Sequence, residues 1–297
     1  MNILGTEENF LAIDEAISSL ENSKIVIVSA PYEHTVSYGG GTAAGPLAII
    51  EASAYVEFYD DEHDKELCNE FGVATLEPID FGDKVDQEAL DLIENQVSEL
   101  LAMDKFVVTL GGEHTISTAP IHAHFMKYPE MSILHFDAHS DLRLEYEGSK
   151  YSHASFMARV IEFFNPERIT QVGIRAQCKE EAELIKEKKV KTFYASAINR
   201  GLHGSNWQKT IAESLGNEIY VSFDIDYFDP AIIPATGTPE PDGFLYNETL
   251  NIFREIRKMG KKIIGLDVVE LAPMESLHHP NLTTARLIYK ILNYAFY

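Results

Sequence analysis

The sequence has only two cysteines and one tryptophan in 297 residues, and its basic side chains are outnumbered, 24 Lys and Arg against 47 Asp and Glu. Cys68 and Cys178 are too few and too far apart for a disulfide framework or a zinc knuckle. Both read as free thiols of a reducing compartment, with the cytoplasm as the expected location. A formal net charge of −23 repels phosphate backbones, so no nucleic acid is expected as a partner. No apolar run approaches the roughly 18–20 residues that span a bilayer. The segment from Met1 to Glu8 has neither the basic start nor the apolar core of a signal peptide. No membrane partner is expected either. Internal repeats, low-complexity tracts and linkers rich in Pro, Gly or Ser are also missing, and residues 1–297 read as a single domain.

The acidity has two readings. It serves solubility, or it draws a small cation toward a cleft by attraction screened over about 8 Å at physiological salt.

What is present alternates. Short β-branched or aromatic runs are expected as strands at Lys24–Ser29, Val56–Tyr59, Phe106–Leu110, Ser132–Asp137, Ile169–Ile174, Val190–Tyr194, Ile219–Asp224 and Lys262–Asp267. Helical periodicity separates many of them. Leu90, Ile93, Val97 and Leu100 recur at spacings of three and four within Val85–Asp104, and Thr283–Phe296 repeats the pattern. Several strands are apolar throughout, as when helices cover both faces of a sheet. The expected fold class is α/β in three layers, a mainly parallel sheet of about eight strands flanked by helices. Ligands of such sheets gather outside the carboxyl ends of the strands.

Three polar clusters follow expected strands: Gly111-Gly112-Glu113-His114-Thr115, Asp137-Ala138-His139-Ser140-Asp141, and Asp224-Ile225-Asp226 running on to Pro230. In extended backbone, side chains two apart share a face, so Asp137, His139 and Asp141 are expected to point together, as are Asp224 and Asp226. Ionised carboxylates crowded at the end of a buried strand repel one another and lose hydration. A bound cation removes that penalty. Two His and four Asp exceed a closed tetrahedral zinc site but suit two divalent ions sharing bridging carboxylates. Oxygen-rich ligation with some imidazole and no thiolate puts manganese ahead of zinc, iron and cobalt. An EF-hand fails for lack of the central Gly and closing Glu. A dinucleotide site built from Gly39-x-Gly41-x-x-Ala44 with Asp60 is weak, because a loop containing Pro31 separates those glycines from the strand before them.

These motifs resemble the ureohydrolase family of arginases, agmatinases, guanidinobutyrases and formiminoglutamases. The match runs through Leu110–His114 on to Ala123, through Ile133–Asp141, and through Ser222–Asp226 with Pro230, Pro234 and Gly243. The resemblance implies an arginase-like fold and two Mn2+ per chain. His114, Asp137, Asp141 and Asp224 would hold one ion. Asp137, His139, Asp224 and Asp226 would hold the other, with Asp137 and Asp224 bridging. A hydroxide between the ions would attack a guanidinium carbon. His153 resembles the family's proton shuttle, and Glu270 its guanidinium-binding carboxylate. The resemblance also implies a homo-oligomer, trimer or hexamer.

Within the family the agmatinase branch fits best, with a small cationic guanidino substrate. The loop Leu142–Lys150 has no Asn, and Gly173-Ile174-Arg175 is followed by Ala176 and Gln177 rather than an acid, so groups that would bind an amino acid's α-carboxylate and α-amine are missing. The segment Thr236–Gly243 is close to the agmatinase pattern, but Asp242 stands where relatives carry Gly. The Gly-rich stretch at 39–46 matches only loosely. Guanidinobutyrase, another guanidino-acid hydrolase and formiminoglutamase stay open, with Arg143 a candidate donor for a distal carboxylate. A metal-binding homologue without turnover is the alternative from a different class.

Overall fold

The computed structural model describes residues 1–297. Ten strands form, in chain order β1 (Ile25–Ala30), β2 (Tyr59–Asp60), β3 (Lys65–Glu66), β4 (Val73–Thr75), β5 (Phe106–Gly111), β6 (Ser132–Phe136), β7 (Ile169–Val172), β8 (Lys191–Phe193), β9 (Glu218–Asp224) and β10 (Lys262–Val269). Eight of them make one sheet in the order β4-β1-β5-β10-β9-β6-β7-β8. Every pairing in that sheet is parallel.

Helices cover both faces, and β1 shows why its run is almost wholly apolar. Ile25 and Ile27 pack into one core with Ile49 and Ile50 of helix Gly45–Ser53 and Leu287 and Ile291 of helix His279–Phe296. Val26 and Val28 pack into another with Leu90, Ile93 and Val97 of helix Asp86–Ala102. Neither face meets water, so alternation would serve nothing.

The order of strands creates the site. After β5 the chain passes to β6 but leaves a gap of two strands, which β10 and β9 fill later. The four central neighbours β5, β10, β9 and β6 therefore come from distant parts of the chain. Their carboxyl ends adjoin where connections diverge, the usual ligand position in such sheets.

Two expectations need correction. Val56–Tyr59 is not a strand of the sheet; Val56 lies in a bend, and only Tyr59–Asp60 pairs, antiparallel, with Lys65–Glu66 in a separate hairpin. The edge position is taken instead by Val73–Thr75, too short a run to register as a strand by pattern alone. The strand expected to reach Ile174 stops at Val172, because Gly173 has a φ of +100° that extended backbone does not continue. The nucleotide reading also falls. Asp60, needed for a ribose, is buried and bonded to Lys290 Nζ at 2.7 Å and His63 Nδ1 at 2.9 Å.

Candidate metal centre

His114 arrives through a turn that only glycine permits. A Cβ on Gly112 would lie 2.1 Å from the carbonyl oxygen of Tyr32, so the chain leaving β5 presses directly on its neighbour. The Gly112 N–H donates to Ala30, and its carbonyl accepts from the N–H of Glu270 at 2.8 Å. The two strand ends are thus joined at the point where both site residues begin. His114 then opens the 3-10 turn His114–Ser117, its ring stacked on Phe156 at 3.9 Å.

Which imidazole nitrogen is bare follows from its partners. Ser222 on β9 donates its hydroxyl to Asp267 Oδ1 at 2.8 Å. Its oxygen therefore accepts from His114 Nε2–H, 3.2 Å away. His114 Nδ1 is the nitrogen left to offer a lone pair when a cation displaces its proton, and it faces three carboxylate oxygens: Asp137 Oδ2 at 3.1 Å, Asp224 Oδ2 at 3.2 Å and Asp141 Oδ2 at 3.3 Å. This buried nitrogen makes no hydrogen bond to any of them. A buried polar atom without a partner requires an explanation. One nitrogen and three carboxylate oxygens converging, with no proton aligned between them, is the donor set of a divalent cation.

A second group lies beside the first. His139 Nδ1 is 2.9 Å from Asp226 Oδ2 and 3.5 Å from Asp137 Oδ1. Asp226 Oδ1 accepts the N–H of Ala138 at 3.0 Å, which ties the β9 end to the β6 end. Asp137 thus turns Oδ2 to the His114 group and Oδ1 to the His139 group, the arrangement of a shared ligand. All six candidates from the sequence are brought together. The local geometry differs from the extended backbone expected for them. β6 stops at Phe136, and Asp141 reaches the cluster with a left-handed φ of +51°. Asp226 sits in the 3-10 turn Ile225–Tyr227, where Asp224 Oδ1 accepts its N–H at 2.8 Å.

The electrostatics call for positive charge. Burial, then the Asp137 charge, pushes Asp141 up to about 7, and burial with Asp226 and Asp137 raises Asp224 well above the usual carboxylate range. Burial opposes ionisation of Asp137 too, yet the neighbouring imidazoles His114, His135 and His139 hold it well below that range. His114 and His139 are lifted well above their ordinary value by the carboxylates, against the effect of burial. Protons are drawn onto the cluster where cations would otherwise balance it.

A polar cavity of about 260 Å3 opens onto the cluster, lined among others by His139, Asp141, His153, Asp224, Glu240 and Glu270. A larger recess of about 750 Å3 at the amino ends of the strands, around Ser132, Lys191, Glu218 and Lys262, has no such grouping. His153 begins the 3-10 turn His153–Ser155. Thr35 donates its hydroxyl to Glu113 Oε1 at 3.0 Å, so its oxygen accepts from His153 Nδ1–H at 2.9 Å. That leaves Nε2 as the accepting nitrogen, 3.2 Å from the Ser37 hydroxyl. Burial, with charge on His139 next, lowers His153 to about 4, so it is neutral near pH 7. Glu270 adopts a left-handed φ of +66°, and burial pushes its carboxyl up to about 8.

Arg143 also lines the cavity, over the Tyr146 ring at 5.0 Å and with its Nε 3.8 Å from Glu181 Oε2. Asp242 has a φ of +69°, the left-handed conformation that suits Gly, and its Oδ1 accepts from Asn199 at 2.9 Å. The loose Gly-rich stretch packs closely: Gly45 abuts the Leu271 carbonyl, and Gly39 donates its N–H to Gly237 at 3.1 Å.

Sequence reading missed His135, Gln171, Asp267, Thr35 and Glu113. His135 had a signal, since it lies two residues before Asp137 on the same strand face. Asp267 had another, as a lone acid inside an apolar strand.

Residues 23–297 match the profile of the Arginase family. The chain is 37% identical over 286 residues to N(1)-aminopropylagmatine ureohydrolase of Synechocystis sp., covering 94% of this chain and 92% of that protein. It is 38% identical over 258 residues to agmatinase of Bacillus cereus, covering 86% of each. Among solved structures, agmatine ureohydrolase of Thermoplasma volcanium superposes with a TM-score of 0.84 at 28% identity, over 94% of this chain and 92% of that one.

Proposed function

The chain belongs to the arginase family, whose members are binuclear-metal hydrolases of guanidino groups, and from that premise we propose that it hydrolyses agmatine to putrescine and urea with two manganese ions. The observation that carries this reading is the bare His114 Nδ1 facing Asp137, Asp141 and Asp224 beneath an acid-lined cavity. Two divalent ions held by His114, Asp137, His139, Asp141, Asp224 and Asp226 would lower the pKa of a bound water and supply a nucleophile at neutral pH. Glu270 accepts N–H groups of the guanidinium, a fork that a carboxylate matches with paired hydrogen bonds. His153, neutral at rest with Nε2 as its accepting nitrogen, takes up a proton there and returns it to the departing amine.

The distal end of the substrate is a cation. Glu240 lines the cavity, and Arg143, which lines it too, lies over the Tyr146 ring and within 3.8 Å of Glu181 Oε2, which offset its charge. A second reading, hydrolysis of N(1)-aminopropylagmatine, is favoured by the Synechocystis relative and extends the substrate by a further amine-bearing arm. Urea release with added manganese from agmatine, N(1)-aminopropylagmatine, arginine, guanidinobutyrate, guanidinopropionate and formiminoglutamate tests both. Agmatine as the best substrate supports the first reading, and N(1)-aminopropylagmatine as the best supports the second. A preference for a guanidino acid contradicts the acid-lined cavity argument, and no urea from any of them favours a non-catalytic metal-binding homologue.

A further inference from the structure

One register below the candidate ligands, a polar row crosses the sheet. Parallel pairing sets Thr192 on β8 beside Gln171 on β7, Gln171 beside His135 on β6, His135 beside Ser222 on β9, and Ser222 beside Asp267 on β10. Neighbours in register point to one side of a parallel sheet. His135, Gln171, Ser222 and Asp267 are fully buried, where polar side chains persist only when bonded. One half of this row, Asp267 and Ser222, decides which nitrogen of His114 is bare.

The other half leads to Asp137. Gln171 Nε2 lies 2.9 Å from the carbonyl oxygen of Ser140 and 3.1 Å from His135 Nδ1. A carbonyl can only accept, so the amide nitrogen, not its oxygen, faces this side. The amide oxygen accepts the Thr192 hydroxyl at 3.2 Å, in agreement. With one N–H on Ser140, the other N–H of Gln171 donates to His135 Nδ1. His135 must then carry its proton on Nε2, which donates to Asp137 Oδ2 at 2.8 Å. No other arrangement satisfies every partner. The ring is wedged edge-on against Phe156 and His114, with centroids 5.2 Å from each.

We propose that Gln171 and His135 are positioning residues: Gln171 fixes the His135 tautomer, and His135 Nε2–H aims the Asp137 carboxylate so that its two oxygens serve the two halves of the metal centre. The relay rests on the reading of Asp137 as a shared ligand. A carboxylate free to rotate about its last bond would present its oxygens to both groups only part of the time. A hydrogen bond from a residue with no rotational freedom of its own removes that loss.

The test separates positioning from packing. Manganese titration calorimetry is run on the wild type, His135→Gln, which keeps an N–H donor, and His135→Phe, which keeps a ring without one. His135→Phe is expected to bind manganese about 10–100-fold more weakly, with His135→Gln restoring most of that loss. Wild-type affinity in His135→Phe, or equal losses in both variants, overturns the proposal. Because a buried substitution can impair folding, 15N-histidine NMR of the metal-free wild type, assigned with Gln171→Leu, gives an independent reading. A single Nε2–H tautomer at His135 that becomes mixed in Gln171→Leu supports the relay, and an Nδ1–H tautomer in the wild type overturns it. Asp137→Asn keeps the underlying reading distinct: if that variant still binds two ions with full affinity, the shared-ligand assignment fails, whatever His135 does.

Discussion

Glu270 Oε1 accepts the main-chain N–H of His114 at 2.7 Å. The carboxylate proposed to hold the guanidinium is therefore fixed to the backbone of a proposed metal ligand, and its other oxygen remains for substrate. A substrate bound to Glu270 is placed relative to the metal centre by two strand ends, β5 and β10, that are themselves bonded through Gly112 and Glu270.

This tie makes Glu270→Gln a sharp probe. The glutamine oxygen can still accept the His114 N–H, so metal content should match the wild type. Its amide cannot pair with a guanidinium as a carboxylate does. Loss of charged hydrogen bonds worth about 1.5–3 kcal/mol predicts kcat/KM lowered by roughly 10–150-fold. Steady-state kinetics on agmatine beside metal analysis checks this, and loss of metal together with activity would place Glu270 in a structural role instead.

His153→Ala should keep two ions per chain and lower kcat by about 10²–10⁴-fold, the usual share of a positioned proton carrier. Thr35→Val, which removes the acceptor for His153 Nδ1–H while leaving the imidazole in place, should show a smaller loss of kcat. Unchanged kcat in His153→Ala would remove it from the proton path.

Away from the site, His124 gives a pH-dependence with a definite sign. It is fully buried, its Nδ1 bonded to the Pro120 carbonyl at 2.7 Å, and burial, the largest cause, lowers it to about 4 from an ordinary 6.5. Between those values the unfolded chain binds a proton that the folded chain refuses, so stability rises with pH across the window and is lost as pH falls from 6.5 toward 4. At ~1.4 kcal/mol per pH unit, the full effect is on the order of 3 kcal/mol. Urea unfolding of the metal-free protein at several pH values should show a shallower slope for His124→Gln than for the wild type. Parallel slopes would show that His124 takes up its proton in the folded state.

Much of this was legible beforehand, for physical reasons. Strands buried on both faces, such as Ile25–Ala30 and Phe106–Gly111, announce themselves by nearly continuous apolar runs, and acids at the end of such runs mark a site. Val73–Thr75 was not legible, because three residues carry no period and only pairing with β1 makes them a strand. Asp141 was expected beside Asp137 and His139 for an incomplete reason, since a left-handed turn rather than strand alternation delivers it. His135 and Gln171 lie 36 residues apart and become partners only through the β6–β7 register, which no local pattern encodes.

The most direct test of the whole account is anomalous diffraction at the manganese edge from crystals of this protein grown with manganese. Two peaks are predicted, one against His114 Nδ1 with Asp141 and one against His139 Nδ1 with Asp226, with the Asp137 carboxylate between them. Manganese peaks elsewhere, or none within reach of these side chains, would contradict it.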